Sequence, residues 1–168
     1  MLKKILLAVL LALPMLASAQ TIATVKIGLV NSEAILTAMP ESKTAQESLA
    51  NLSKQLEDQM AQLQNEMNRK VEEFKALSED TPVTIKDQKM KDIQDYQTKL
   101  ETFYQNAQQE LNRKQQELMA PIISKINDAI QSVGKEGNYT IIQQTAAVLY
   151  FGAPAEDITP LVKAKLGL

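Results

Sequence analysis

The chain has 168 residues, no cysteine, histidine or tryptophan, and a formal charge of −2, which suits one domain or one oligomeric unit. The missing residue types exclude disulfides, thiol nucleophiles, thiolate metal sites and histidine-based acid–base or metal chemistry. The near-balanced charge argues against nucleic acid as a partner, because that would normally call for a basic face.

Residues 1–19 read as an export signal. Lys3 and Lys4 supply a basic start, Ile5–Leu16 an apolar run, and Ala17-Ser18-Ala19 a small-residue cleavage site, so the cut is expected between Ala19 and Gln20. The apolar run is short for a membrane span, so membrane association is peripheral at most. A strand is expected over Thr24–Val30, with Val25, Ile27 and Leu29 on one face. Asn31 or Ser32 can then cap a short helix through Ala38. Pro40 suits the first turn of the next helix, where no amide donor is needed, and Glu41 and Ser42 suit its N-terminus by charge and capping.

Two long amphipathic helices follow, over Glu41–Ser78 and Ile85–Val133, joined by a polar tip at residues 79–84. In the first arm Leu52, Leu56, Met60, Leu63, Met67, Val71 and Phe74 recur at helical steps. In the second arm Leu100, Tyr104, Ala107, Leu111, Gln115, Leu118, Ile122, Ile126, Ala129 and Val133 do the same, with Gln115 a polar lapse. Both stripes repeat every eleven residues, which keeps a helix nearly straight, and the short connection makes the arms antiparallel neighbours. Thr84 with Asp87 resembles a capping pair for the second arm. Pro121 falls inside the pattern and predicts a kink near Glu117–Pro121, with the stripe continuing beyond it.

Gly134 and Gly137-Asn138 are expected to close that helix. Strands over Tyr139–Gln143 and Ala147–Phe151 follow, linked by a polar turn. Thr159-Pro160 then reads as the cap and first residue of a last helix, with Leu161, Val162 and Leu166 facing inward. The expected fold is α+β, mostly α. Body segments at residues 20–40 and 121–168 carry the hairpin of residues 41–120. So small a body, with open strand edges and the arms lying outside it, struggles to bury enough apolar surface alone. Sharing the sheet between identical subunits as a small barrel is the simplest remedy, through Val25, Ile27, Leu29, Ile141, Val148 and Tyr150.

The layout resembles the Skp (OmpH-like) family of periplasmic outer-membrane-protein chaperones. The matching stretches are Lys26-Ile27-Gly28-Leu29-Val30-Asn31, Met39-Pro40-Glu41-Ser42-Lys43, Met119-Ala120-Pro121-Ile122, Gly137-Asn138-Tyr139, Ala147-Val148-Leu149-Tyr150 and Asp157-Ile158-Thr159. The resemblance implies a homotrimer with a β-barrel body and three tentacle-like hairpins around a cavity. It also implies an ATP-independent, cofactor-free holdase for unfolded outer-membrane proteins in the periplasm. Charge sets this chain apart from the strongly basic members of that family. Its tip, Lys75–Asp92, sets four lysines against Glu79, Asp80, Asp87 and Asp92.

A holdase needs a broad, adaptable and weakly adhesive surface. Met60, Met67, Phe74, Leu77, Met90, Ile93, Tyr96, Phe103 and Tyr104 are the candidates on the arms, the thioethers because they repack around varied partners. The plainer reading is that Met60, Met67 and Phe74 pack the seam, while Met90, Tyr96 and Phe103 fit it less cleanly. Lys86, Lys89 and Lys91 are interleaved with Asp87 and Asp92, which favours a neutral surface over a basic patch. Glu72-Glu73 and Glu57-Asp58 are carboxylate pairs on an exposed helix, with no orienting partner for acid–base catalysis. The competing function is a non-catalytic coiled-coil structural or adaptor protein of the cell envelope, favoured by the regular, acidic first arm.

Overall fold

The structure is a computed structural model and describes residues 25–168. The expected export signal, the Ala19–Gln20 junction and Thr24 lie outside the described residues. A short strand β1 (Ile27–Val30) leads into α1 (Ser32–Ala38), then the arms α2 (Pro40–Lys75) and α3 (Val83–Glu136). The chain returns through β2 (Ile141–Gln144), a 3-10 turn at Thr145–Ala147, β3 (Ala155–Asp157) and α4 (Thr159–Leu166).

The local signals behave as elementary capping rules require at α1, where Asn31 Oδ1 accepts the Ala34 amide at 2.9 Å. They are overridden elsewhere. Met39 is the N-cap of α2 and provides no side-chain bond, and Ser42 is buried where it was expected to cap. The second arm begins at Val83 behind Pro82, without the expected Thr84–Asp87 capping pair, because proline's fixed φ already suits a helix entry. Its far end closes on a residue in the left-handed region, but that residue is Asn138 (φ 53°) and neither nearby glycine. The Tyr139 amide reaches the Gly134 carbonyl at 3.0 Å and the Asn138 amide reaches Lys135 at 3.3 Å, the paired bonds of a Schellman motif. Gly134 itself stays inside the helix.

The sheet order is β2-β1-β3, with both neighbours parallel to β1. Ile27 sits opposite Ile141 on one side and Ala155 on the other. The expected strand over Ala147–Phe151 is absent, and the third strand is Ala155–Asp157. The apolar run around Leu149 points to a strand, but that segment has no strand partner among the described residues. Gly28 occupies a tight space at the centre of the sheet, where an added Cβ would lie 3.1–3.2 Å from side-chain atoms of Ile142, Ile158 and Tyr139. The first crossover contains the entire hairpin.

One cluster joins the two chain ends. Val30, Ile35, Met39, Ala45, Ile122, Ile126, Ala129, Val133, Ile158 and Val162 are buried together. Ala45, at the root of the first arm, joins this core, against the expectation that the hairpin of residues 41–120 lies outside it, whereas Ile122, Ile126, Ala129 and Val133 belong to the stretch beyond Pro121 that was expected in the body. Helical apolar residues approaching a small sheet are its cheapest cover. α4 follows the expectation at Val162, whereas Leu161 faces solvent. Thr159 is not the expected cap. Its hydroxyl accepts the Asn31 amide at 2.9 Å, while its own amide donates to Asp157 Oδ1 at 2.9 Å. These bonds tie the end of β1 to the start of α4.

Candidate functional site

α2 and α3 pack antiparallel, and their roots enter the core while their outer lengths do not. No residue from Gln46 to Pro121 is buried, and the apolar stripe there is half-buried at best. A two-helix seam covers only one face of each helix, so apolar side chains keep one flank in water. α3 continues on both sides of Pro121, and burial changes there: Ile122 is the first buried residue of α3.

The first arm follows its expected stripe, from Leu52 to Phe74, with every member half-buried. In the second arm the seam takes a different step. From Leu100 it moves three residues to Phe103, then to Ala107, Leu111 and Lys114. Tyr104, expected on the stripe, is 57% exposed. The apparent polar lapse at Gln115 disappears with this correction, because Lys114 lies half-buried there and Gln115 is solvent-exposed. A lysine stem can cover apolar surface while its ammonium stays wet. The eleven-residue repeat survives, since Phe103 and Lys114 are eleven apart.

The remaining candidates distribute accordingly. Met60, Met67, Phe74, Leu77, Ile93, Tyr96 and Phe103 are half-buried along the hairpin, whereas Met90 and Tyr104 face outward. Lys70 and Lys99 place their ammonium groups 5.7 and 5.3 Å from the Tyr96 ring centroid, within reach of cation–π attraction. Val83 and Ile85 are exposed beside the tip, although neither was a candidate. In the body, Leu29 is buried within the chain, Ile27 and Val148 are half-buried, and Val25, Ile141 and Tyr150 are exposed.

Polar contacts across the arms are concentrated at two levels. At the root Lys125 pairs with Glu41. Toward the tip Lys89 bonds Glu73 at 2.7 Å and Lys70 approaches Asp92 at 3.8 Å. The Lys89 ammonium beside Glu73 holds that carboxyl below its usual range by hydrogen bonding and charge, and Lys125 does the same for Glu41, chiefly by its hydrogen bond. Two of the four tip lysines are occupied locally: Lys86 donates to the Glu79 carbonyl at 2.9 Å and Lys75 to Glu72 at 2.9 Å. Sequence spacing does not reveal the clasp, whose partners lie sixteen to twenty-two positions apart.

Between these levels the arms leave an apolar groove of about 420 Å³. Leu56, Met60, Ala107 and Leu111 line it, with Phe103 and Tyr104 on its second-arm side. Among the described residues no group of acidic side chains is placed to hold a metal ion, and no helix is long and apolar enough to cross a membrane. Such an arrangement can hold apolar segments loosely, by shape and dispersion.

Comparison with known proteins agrees with this architecture. The chain is 31% identical over 148 residues to the chaperone protein Skp of Yersinia enterocolitica, covering 86% of this chain and 87% of that one. It is 28% identical to the chaperone protein Skp of Pectobacterium atrosepticum, covering 94% of each. A crystal structure from Caulobacter crescentus, designated an outer membrane chaperone of OmpH-like type, shares the fold. It superposes with a TM-score of 0.72 at 16% identity, over 83% of this chain and 82% of that one. The family description "Outer membrane protein (OmpH-like)" matches residues 26–166, and the chain belongs to that family, whose members are not enzymes.

Proposed function

We propose that this protein is an ATP-independent holdase chaperone of the periplasm, binding unfolded outer-membrane β-barrel proteins between its hairpins and preventing their aggregation. The observation that carries this reading is the unburied hairpin. From Gln46 to Pro121 it displays half-covered apolar side chains without committing any of them to a core. Many weak contacts of this kind add up through multivalency while each remains easy to release. The chaperone names of the two Skp relatives support the same role.

The working unit is a homotrimer whose sheets join in a shared barrel. Two features support association. The outer strands β2 and β3 are mostly exposed, although parallel sheets are normally covered. Leu149 and Tyr150 also stand in solvent beside them, at 107% and 86% exposure. The export signal expected at residues 1–19 would deliver the chain to the periplasm.

Diluting a urea-unfolded β-barrel protein into buffer containing the chaperone tests the reading by light scattering. Stoichiometric trimer should suppress the scattering, and unchanged aggregation would refute the holdase. Sedimentation equilibrium should show no folded monomer at micromolar concentration. An envelope spacer or adaptor would instead bind a folded partner and show no preference for unfolded chains.

A further inference from the structure

We propose that the mid-arm groove is a subsite for extended apolar or aromatic segments flanked by lysine or arginine, so that the chaperone prefers cationic stretches of its clients. This deepens the holdase reading and rests on it. Shape is the first argument. The groove is apolar on one side and open to water on the other, and a strand-forming segment of a β-barrel protein presents apolar residues on one face only. Met60, Phe103 and Tyr104 supply the adaptable and aromatic contacts.

Charge is the second argument. Between Asn51 and Gln64 the first arm carries Lys54 against Glu57 and Asp58, and between Leu100 and Leu111 the second carries Glu101 and Glu110 with no basic residue. Glu110 is matched by Arg113. Glu57, which lines the groove, receives a bond from the Ser53 hydroxyl and has no ion-pair partner among the described residues, as is true of Asp58 and Glu101. Farther out the charges nearly balance, residues 65–99 carrying eight acidic and seven basic side chains, with Glu66 and Glu73 paired to Arg69, Glu72 to Lys75 and Asp92 to Lys70. The apolar groove thus sits in an acidic belt between two stretches of nearly balanced charge. That field favours cations at its rim and penalises carboxylates.

The test uses the intact mature protein and fluorescent peptides of about ten residues, long enough for a β-strand. All share one alternating apolar-aromatic centre and differ only in lysine or glutamate flanks. At about 0.05 M salt the lysine-flanked peptide should bind roughly three- to tenfold more tightly, and the preference should collapse near 0.5 M, where charges are screened within a few ångströms. The combined variant Glu57→Gln, Asp58→Asn, Glu101→Gln alters exposed side chains only and should equalise the two peptides, while Tyr104→Ser should weaken both. Equal binding or glutamate preference at low salt overturns the proposal. So does suppression of client aggregation without binding of either peptide. Loss of aggregation suppression with the lysine preference intact would remove the holdase reading and leave the groove's specificity standing.

Discussion

Leu100 and Ile122 stand two repeats apart on the same stripe of α3, yet Ile122 is buried and Leu100 keeps one flank in water. The helix is the same, and the difference lies in what faces it. At the root α3 meets α1, α2 and α4 beside the sheet, whereas farther out it meets α2 alone. One end of the molecule is therefore held by burial, the other by a half-wet seam, interhelical ion pairs and helix propensity. In the holdase role proposed above, a surface that binds and releases many chains must stay incomplete, and a long helical pair can remain incomplete without unfolding only if its roots are anchored.

Truncating one side chain at each end separates the two regions most widely. Ile158→Ala removes a fully buried side chain from the body and should cost about 2–5 kcal/mol in urea unfolding. Leu100→Ala removes a half-exposed one and should cost no more than about 1.5 kcal/mol, since much less area returns to water. Comparable losses would mean that arm and body share one core. Excising residues 65–99 and bridging the stumps with a short Gly/Ser linker should lower ellipticity in proportion to the helix removed. The thermal midpoint of the body should hardly move, and client aggregation should no longer be suppressed.

A smaller effect is expected where the body is sealed. The Tyr139 hydroxyl donates to Glu156 at 2.7 Å, linking the turn after α3 to β3, and the Lys26 ammonium sits 4.0 Å from the Tyr139 ring centroid. Burial and Glu156 raise the Tyr139 phenol, so it stays protonated at neutral pH. Tyr139→Phe should cost about 1 kcal/mol, read by the shift in urea midpoint.

The smallest effect belongs to the outer clasp. Because Lys89 lowers the Glu73 carboxyl, the pairing contributes fully above the ordinary carboxylate range and is lost as pH falls through the lowered value. Spin labels at Asn68→Cys and Gln94→Cys can read the arm separation, since the chain has no cysteine of its own. The distance distribution should be the same at about pH 7 and pH 5 and broaden below about pH 4. Lys89→Ala should broaden it at neutral pH and remove most of the acid response.

Elements specified by nearby residues are legible in the amino-acid order itself. The Asn31 cap, the helix through Ala38, the entry at Pro40 and the two arms all follow from short-range chemistry and helical periodicity. So does the eleven-residue repeat, because it is written along a single helix. Whether the seam steps from Leu100 to Phe103 or to Tyr104 is not legible there, since both steps fit one helix and only the facing α2 selects between them. The clasp and the mid-arm groove depend on that same register across the hairpin. The body is the least legible part. Ala155–Asp157 carries little strand pattern, and its pairing is decided by β1, more than a hundred residues earlier. By itself, then, the sequence determined a helical hairpin with its ends brought together. Tertiary structure decided which face became seam, which roots became core and which apolar residues were left for a partner, because burial belongs to the surfaces that meet.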